Sequence, residues 1–177
     1  MSQDRPVKNI PLTLTKPWDG VQSDFVFCEF KRIIFKAGRR VGKTEGVGIR
    51  HCAKFLKGKR CLYGTPTTEQ IDRYWHVVCS NLQPLIDMNI LSKNETKHII
   101  EPTPAYAKHF GPEARIKAKT CWNANSLRGD YGDELALDEF QLMNEDTWED
   151  VGAPMMLDTN GTAIFIFTPP SLRNSGL

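Results

Sequence analysis

The octapeptide at positions 37–44 is Ala37-Gly38-Arg39-Arg40-Val41-Gly42-Lys43-Thr44, which fits the phosphate-binding loop pattern (A/G)-x-x-x-x-G-K-(S/T). It follows an apolar, strand-like run, Arg32–Lys36, and a helical pattern of apolar residues comes after it. Backbone amides of such a loop, with a helix N-terminus behind them, form an anion site. The order of strand, glycine loop and helix therefore predicts nucleotide binding, and a basic surface turn that contains glycine is the alternative.

Composition is that of an ordinary globular domain. The chain has 177 residues, and its 23 Lys and Arg against 21 Asp and Glu neither require nor exclude a nucleic-acid partner. Five cysteines without a C-x-x-C pair indicate reduced thiols rather than a disulfide framework. Because there is no signal-peptide core and no apolar run of about 18 residues, we expect a soluble, cytoplasmic protein without a membrane partner.

Strand and helix patterns alternate along the chain. This alternation predicts an α/β fold of the P-loop NTPase class (ASCE/RecA-like), with a mostly parallel central sheet flanked by helices on both faces. Further strands are predicted at 60–63, 98–101 and 114–118. A helix is predicted over 68–80, with Thr67 and Gln70 as a capping box, and a second, weaker helix over 82–91.

A second chemical signal is the segment Leu135-Ala136-Leu137-Asp138-Glu139. P-loop enzymes place a carboxylate at the end of a buried strand to hold magnesium, and Asp138 suits that role. Glu139 is suited to activate the attacking water. Because Glu134 occupies the first of the usually apolar positions, the strand is expected to begin one residue later. Without the loop upstream, a strand with an acidic cap would explain the segment equally well.

The third signal is the apolar run Ala163-Ile164-Phe165-Ile166-Phe167, which is typical of a central strand. Thr168 follows at its C-terminal tip, where open α/β sheets gather functional groups. Its hydroxyl could bind a γ-phosphate or the hydrolytic water, or it could cap the turn.

Five segments together resemble one family. They are Gln22 after Pro17-Trp18, the loop A-G-R-R-V-G-K-T, Y-G-T-P-T-T-E-Q, N-S-L-R-G-D-Y-G-D-E-L-A-L-D-E-F and F-I-F-T-P-P. In this order, from about Pro17 to Pro170, they are similar to the ATPase core of a tailed-virus (bacteriophage) terminase large subunit, the motor that packages double-stranded DNA.

The resemblance implies a nucleotide site made by Gln22 and the loop residues 37–44. Gln22 matches the family's adenine-reading glutamine, whose amide can both donate and accept hydrogen bonds. Lys43 would contact the β- and γ-phosphates, and Thr44 and Asp138 would hold Mg²⁺. Thr168 matches the coupling motif that links hydrolysis to movement.

Three arginines are candidates for stabilising the transferred phosphoryl group. Arg39 resembles the loop arginine proposed to act in cis, with Arg40 as its neighbour. For Arg128, the resemblance implies a role as an arginine supplied across a subunit interface, and a salt bridge with Asp130 or Asp133 is its alternative.

The resemblance also implies ATP as the substrate and Mg²⁺ as the cofactor. It implies double-stranded DNA, a portal protein and a small terminase subunit as partners, and a homo-oligomeric ring in the host cytoplasm. The expected organisation is an N-terminal segment, residues 1–24, and an ATPase core, residues 25–177. Family members usually continue past the coupling motif into a lid and a nuclease domain, whereas this sequence stops at Leu177. We therefore expect no nuclease activity from this polypeptide. It is expected to be either a fragment or one part of a machine whose other functions lie on another chain.

Two other classes fit the same motifs. A helicase or repair-type ATPase acting on nucleic acid shares the loop, the acidic strand and the threonine-bearing strand. A nucleotide-binding assembly module would bind ATP without turnover.

Overall fold

The computed structural model describes residues 10–121 and 127–169. Its strands are β1 (Arg32–Lys36), β2 (Arg60–Thr65), β3 (Leu91–Asn94), β4 (Ile99–Pro102), β5 (Arg115–Thr120), β6 (Glu134–Leu137) and β7 (Thr162–Phe167). Its α-helices are α1 (Val21–Phe27), α2 (Lys43–Leu56), α3 (Thr68–Asp87), α4 (Ala107–Phe110) and α5 (Ala153–Thr159), and a 3-10 turn (Phe140–Leu142) and a π-helical segment (Thr147–Gly152) lie between β6 and α5.

The strands form one sheet in the order β1-β7-β6-β2-β5-β4-β3. The first five of these strands are parallel to one another, and β4 at the far side pairs antiparallel with both β5 and β3. The C-terminal ends of β1, β7 and β6 therefore lie side by side, and the three loops that carry the predicted chemistry start from one edge of the sheet.

Apolar side chains are buried on both faces of the sheet. On one face, a single buried cluster contains Tyr63 of β2, Phe25 of α1, Val47 of α2 and Tyr74 of α3. On the other face, residues of β2 and β6 pack with the π-helical segment and α5. This arrangement confirms the predicted α/β fold with helices on both faces. None of the helices within the described ranges is long and apolar enough to cross a lipid bilayer.

Helices α2 and α3 approach closely at Gly48. A Cβ atom at this position would lie 2.6 Å from Cγ1 of Val77, which is closer than real side chains allow. Glycine at 48 therefore sets the distance between the two helices, and with it the position of α3 beside the phosphate-binding loop.

The region after β2 differs from the sequence prediction. One continuous helix, α3, replaces the two predicted over 68–80 and 82–91, and it contains Pro84. Leu82 and Leu85 are buried and extend the apolar face of the helix past the proline, which explains its continuity. The predicted capping box is also wrong: Thr67 makes no side-chain cap hydrogen bond, and Gln70 accepts a hydrogen bond from Thr65 instead.

The expected start of the acidic strand is wrong as well. Strand β6 begins at Glu134, whose side chain is buried. Both carboxylate oxygens accept hydrogen bonds from the Arg50 guanidinium, at 2.9 Å each. Arg50 also donates to the backbone carbonyls of Phe25, Val26 and Cys28 at the end of α1. A paired carboxylate thus occupies a position where a hydrophobic residue is usual.

Helix α1 extends across residue 25, the expected start of the ATPase core. Parts of both expected domain ranges, residues 1–9 and 170–177, lie outside the described residues. The same holds for Asn125, Ser126 and Pro170 of the segments that carry the family resemblance.

Candidate active site

The loop between β1 and α2, which carries the predicted phosphate-binding residues, lies at the C-terminal edge of the sheet. Its start is held to β7, because the Ala37 amide donates to the Phe167 carbonyl at 3.2 Å. Gly42 has φ 69°, a left-handed conformation that glycine adopts at no steric cost, and α2 begins at the next residue. The first amides of α2 have no intrahelical acceptor, as in any helix, and together with the helix dipole they attract phosphate.

Lys43 is held inside this loop. Its ammonium group donates to the carbonyl oxygens of Ala37 and Gly38, at 2.8 Å each, and the residue is only 8% exposed. An ammonium has three donors. Two of them fix the side chain to the loop, and one is left, among the described contacts, for a phosphate oxygen.

Asp138 lies directly after β6 and is buried. Its Oδ2 accepts hydrogen bonds from the hydroxyls of Thr44, at 3.0 Å, and Tyr63, at 2.6 Å. Its Oδ1 accepts one from the Glu139 amide at 3.0 Å. Burial raises the pKa of Asp138, and the hydrogen bonds from Tyr63 and Thr44 oppose that shift only in part.

Thr44 and Asp138 fit a magnesium ion. Mg²⁺ takes oxygen ligands at about 2.0–2.1 Å in octahedral geometry, so neighbouring ligands lie about 2.9 Å apart, and it usually needs only one or two protein groups beside phosphates and water. The Thr44 and Asp138 oxygens are 3.0 Å apart. Within the described ranges no group of three or more His, Cys, Asp or Glu residues could hold a metal.

Glu139, the predicted base, has both carboxylate oxygens engaged. Oε1 accepts a hydrogen bond from the Thr168 hydroxyl at 2.5 Å, and Oε2 accepts one from the Gln141 amide. Its backbone is left-handed, with φ 53°, which is uncommon for a residue with a side chain. The Thr168 contact joins the end of β7 to the end of β6, and this is the only hydrogen bond of that hydroxyl among the described contacts.

These groups surround one pocket of about 1030 Å³. Among the predicted site residues, those that line it are Arg39, Arg40, Val41, Gly42, Lys43, Thr44, Asp138, Glu139 and Thr168. Arg39 and Arg40 are exposed. With Arg73 and Lys43 they give the lining four cationic side chains against three carboxylates, a balance that favours an anionic ligand.

Gln22 lies beneath the loop. Its Oε1 accepts a hydrogen bond from the Trp18 amide at 2.6 Å, and its Nε2 donates to the Gly42 carbonyl at 2.8 Å. The residue is 3% exposed. These contacts tie the N-terminal segment to the loop, and the adenine contact of Gln22 stays a prediction.

Arg128 is exposed and is not part of the pocket lining. The two carboxylates that could have formed a salt bridge with it have other partners. Asp130 accepts hydrogen bonds from Lys117 and Lys119, at 2.5 and 2.6 Å, and Asp133 binds Arg60. The role of Arg128 toward another subunit stays a prediction.

Sequence reasoning missed several residues of this site. Gln70, Arg73 and Val77 of α3 line the pocket, and their i, i+3, i+7 spacing on one helix face is the signal that could have found them. Gln141 also lines it, only two residues after Glu139. Tyr63 gave no signal, since a tyrosine within an apolar strand is normally a core residue.

Comparison with solved structures finds similar folds. The large terminase ATPase domain of Thermus phage P74-26 aligns with a TM-score of 0.70 and 20% identity, over 89% of this chain and 67% of that one. The large terminase of bacteriophage HK97 aligns with a TM-score of 0.67 and 16% identity, over 89% of this chain and 34% of that one. The large terminase of a thermophilic bacteriophage, in complex with ADP, aligns with a TM-score of 0.57 and 13% identity, over 82% of this chain and 37% of that one.

The chain thus spans about two thirds of the P74-26 domain and little more than a third of the other two proteins. No protein-family model and no curated protein sequence matches it.

Proposed function

We propose that this chain, which has the P-loop NTPase fold of phage large terminase ATPase domains, hydrolyses ATP in a magnesium-dependent reaction that drives double-stranded DNA into a viral capsid. The observation that carries the proposal is the convergence of five predicted groups, Lys43, Thr44, Asp138, Glu139 and Thr168, on one pocket.

Binding of ATP follows from the loop and α2. The amides at the start of α2 and the remaining donor of Lys43 bind the β- and γ-phosphates. Thr44 and Asp138 supply oxygens for the metal, and Mg²⁺ bound there neutralises charge on the phosphates. Gln22, which supports the loop through Gly42, is proposed to contact the adenine when nucleotide is present.

Hydrolysis requires a base beside the γ-phosphate, and Glu139 takes that role. A water oxygen bonds to the γ-phosphorus, the bond to the bridging β–γ oxygen breaks, and Glu139 accepts the water proton. Glu139 shares its oxygens with Thr168 and Gln141, so it has to exchange at least one of these partners for water. Arg39 is the preferred arginine for the developing charge, and Arg40 and Arg128 are the other candidates.

The cellular role is inferred from the fold and from the segments that resemble terminases. On that basis the partners are double-stranded DNA, a portal protein and a small terminase subunit, in a homo-oligomeric ring within the host cytoplasm. Residues 25–177 form the ATPase core of this proposal, and residues 1–24 form the segment that carries Gln22.

The proposal is tested by phosphate release with Mg²⁺ and ATP, with and without long duplex DNA. Lys43→Ala is expected to abolish turnover, because the ammonium that binds the phosphates is lost. Glu139→Gln is expected to bind a fluorescent ATP analogue with wild-type affinity and to lose hydrolysis. Glu145→Gln makes the same change at an exposed carboxylate outside the pocket lining and serves as the matched control.

Normal turnover by Glu139→Gln would contradict the assignment of the base. Binding of ATP by the wild type without any phosphate release would instead favour the assembly module. Strand separation on a forked duplex would favour a helicase, whereas stimulation by duplex ends or by a portal ring supports packaging.

A further inference from the structure

Tyr63 is a fully buried residue of β2 whose hydroxyl reaches the carboxylate of Asp138, the proposed metal ligand. Strand β2 pairs in parallel with β6, with Tyr63 opposite Ala136, and the Asp138 amide donates to the Gly64 carbonyl at 2.8 Å. The carboxyl group of Asp138 therefore follows β6 next to the end of β2, where the Tyr63 hydroxyl donates to Oδ2 at 2.6 Å. This is the shortest hydrogen bond that Asp138 makes among the described residues.

The tyrosine ring is held in place from the opposite side. It stacks on the ring of Tyr74, with centroids 4.0 Å apart and planes at 1° to each other. The Tyr74 hydroxyl is itself hydrogen-bonded to Nδ1 of His51 at 2.6 Å. Because both rings are fully buried, close packing keeps the Tyr63 side chain in one rotamer, with its hydroxyl beside Asp138.

The Thr44 and Tyr63 hydroxyls both donate to Oδ2 of Asp138, but only Thr44 is also a proposed metal ligand. Thr44 is a proposed metal ligand, so its hydroxyl oxygen has to turn a lone pair toward the ion. Tyr63 faces the carboxylate from within the sheet and is not part of the pocket lining. It can therefore hold the carboxylate in the same orientation with or without metal.

We propose that Tyr63 is a positioning residue for magnesium: it holds Oδ2 of Asp138 beside the Thr44 hydroxyl, so that both oxygens are in position before the ion binds. This inference rests on the proposed function, since it concerns the metal of the same site. Partners that orient a metal ligand from behind typically contribute about 10–100-fold to metal affinity or activity. Loss of the Tyr63 hydroxyl is expected to weaken magnesium binding by about tenfold or more.

The test compares Tyr63→Phe with Tyr74→Phe in the full chain. The two tyrosines stack on each other, are equally buried, and each loses one hydroxyl with a partner at 2.6 Å. Affinity for mant-ADP, a fluorescent ADP analogue, is measured in EDTA and over a series of MgCl₂ concentrations, and thermal unfolding reports the stability of each variant. Only Tyr63→Phe is expected to raise, by about tenfold or more, the Mg²⁺ concentration at which the effect of the metal on mant-ADP affinity is half-maximal. The affinity for mant-ADP in EDTA is expected to stay unchanged.

Turnover adds a second readout, since saturating Mg²⁺ is expected to restore the kcat of Tyr63→Phe to near that of the wild type. An unchanged magnesium dependence in Tyr63→Phe, or an equal shift in Tyr74→Phe, would overturn the positioning role while leaving the proposed ATPase intact. If nucleotide affinity and turnover of the wild type do not depend on the Mg²⁺ concentration, the proposed function is overturned, and the proposed role of Tyr63 is overturned with it.

Discussion

Replacing Glu134 by leucine restores the apolar pattern expected of the acidic strand, and we predict that it destabilises the protein. Arg50 and Glu134 are 1% and 3% exposed and form two hydrogen bonds of 2.9 Å. Glu134→Leu leaves the guanidinium charge buried without its carboxylate. Removing one partner of such a pair costs about 3–5 kcal/mol, and the carbonyl contacts that Arg50 keeps place the expected loss near the lower limit, about 3 kcal/mol.

The free energy of unfolding is measured from urea titrations followed by circular dichroism. A loss of about 3 kcal/mol corresponds to a fall in Tm of about 6–12 °C for a domain of this size. The double variant Arg50→Met/Glu134→Leu, which removes both charges, is expected to recover about 1–2 kcal/mol. Glu29→Gln removes an exposed carboxylate that pairs with Lys54 of α2 and is expected to cost under about 1 kcal/mol. The reasoning is refuted if Glu134→Leu lies within about 1 kcal/mol of the wild type, or if the double variant is no more stable than the single one.

Two further predictions concern the same core. Burial, assisted by the Arg50 charge, lowers the pKa of His51 to about 3. Between this value and the unfolded pKa of about 6.5, the unfolded chain therefore binds up to one more proton than the folded chain. The free energy of unfolding then falls on acidification, by up to about 1.4 kcal/mol per pH unit. His51→Gln is expected to remove this contribution, so that the wild type loses about 1.5 kcal/mol more than the variant between pH 6.5 and 5 in urea titrations; equal losses would contradict it. Gly48→Ala is expected to cost about 1 kcal/mol or more, because the added methyl group overlaps Val77, and Val77→Ala in the same chain is expected to relieve that overlap. Unfolding that is unchanged in Gly48→Ala would show that α2 and α3 can separate freely.

The sequence predicted best where a feature depends on residues close together in the chain. The loop from Ala37 to Thr44 needs only its own glycines, its lysine and the helix that follows, and the predicted α2 is present. The continuous α3 was predicted as two helices, because the burial of Leu82 and Leu85 that carries one apolar face past Pro84 depends on tertiary packing. The start of β6 was missed because Glu134 is satisfied by a residue 84 positions away, and no local pattern reveals such a partner.

The same distinction holds for the site. Asp138, Glu139 and Thr168 were predicted to lie near the loop because parallel strands end at one edge of a sheet, and they line one pocket with it. The contacts of Tyr63 with Asp138 and of Gln22 with Gly42 join residues that are 75 and 20 positions apart. They depend on the register of β2 against β6 and on the packing of α1 beneath the loop, which sequence spacing alone does not determine.

Helix α2 and strand β6 are fastened to each other at two points. Thr44 binds Asp138 at the nucleotide end, and Arg50 binds Glu134 at the other. Arg50 lies six residues beyond Thr44, about 9 Å along the helix axis. Two attachments this far apart prevent the helix from pivoting on the strand unless one of them breaks. The pair therefore forms a frame whose two elements move together, whereas the Thr168 hydroxyl after β7 meets the end of β6 through one hydrogen bond, to Glu139.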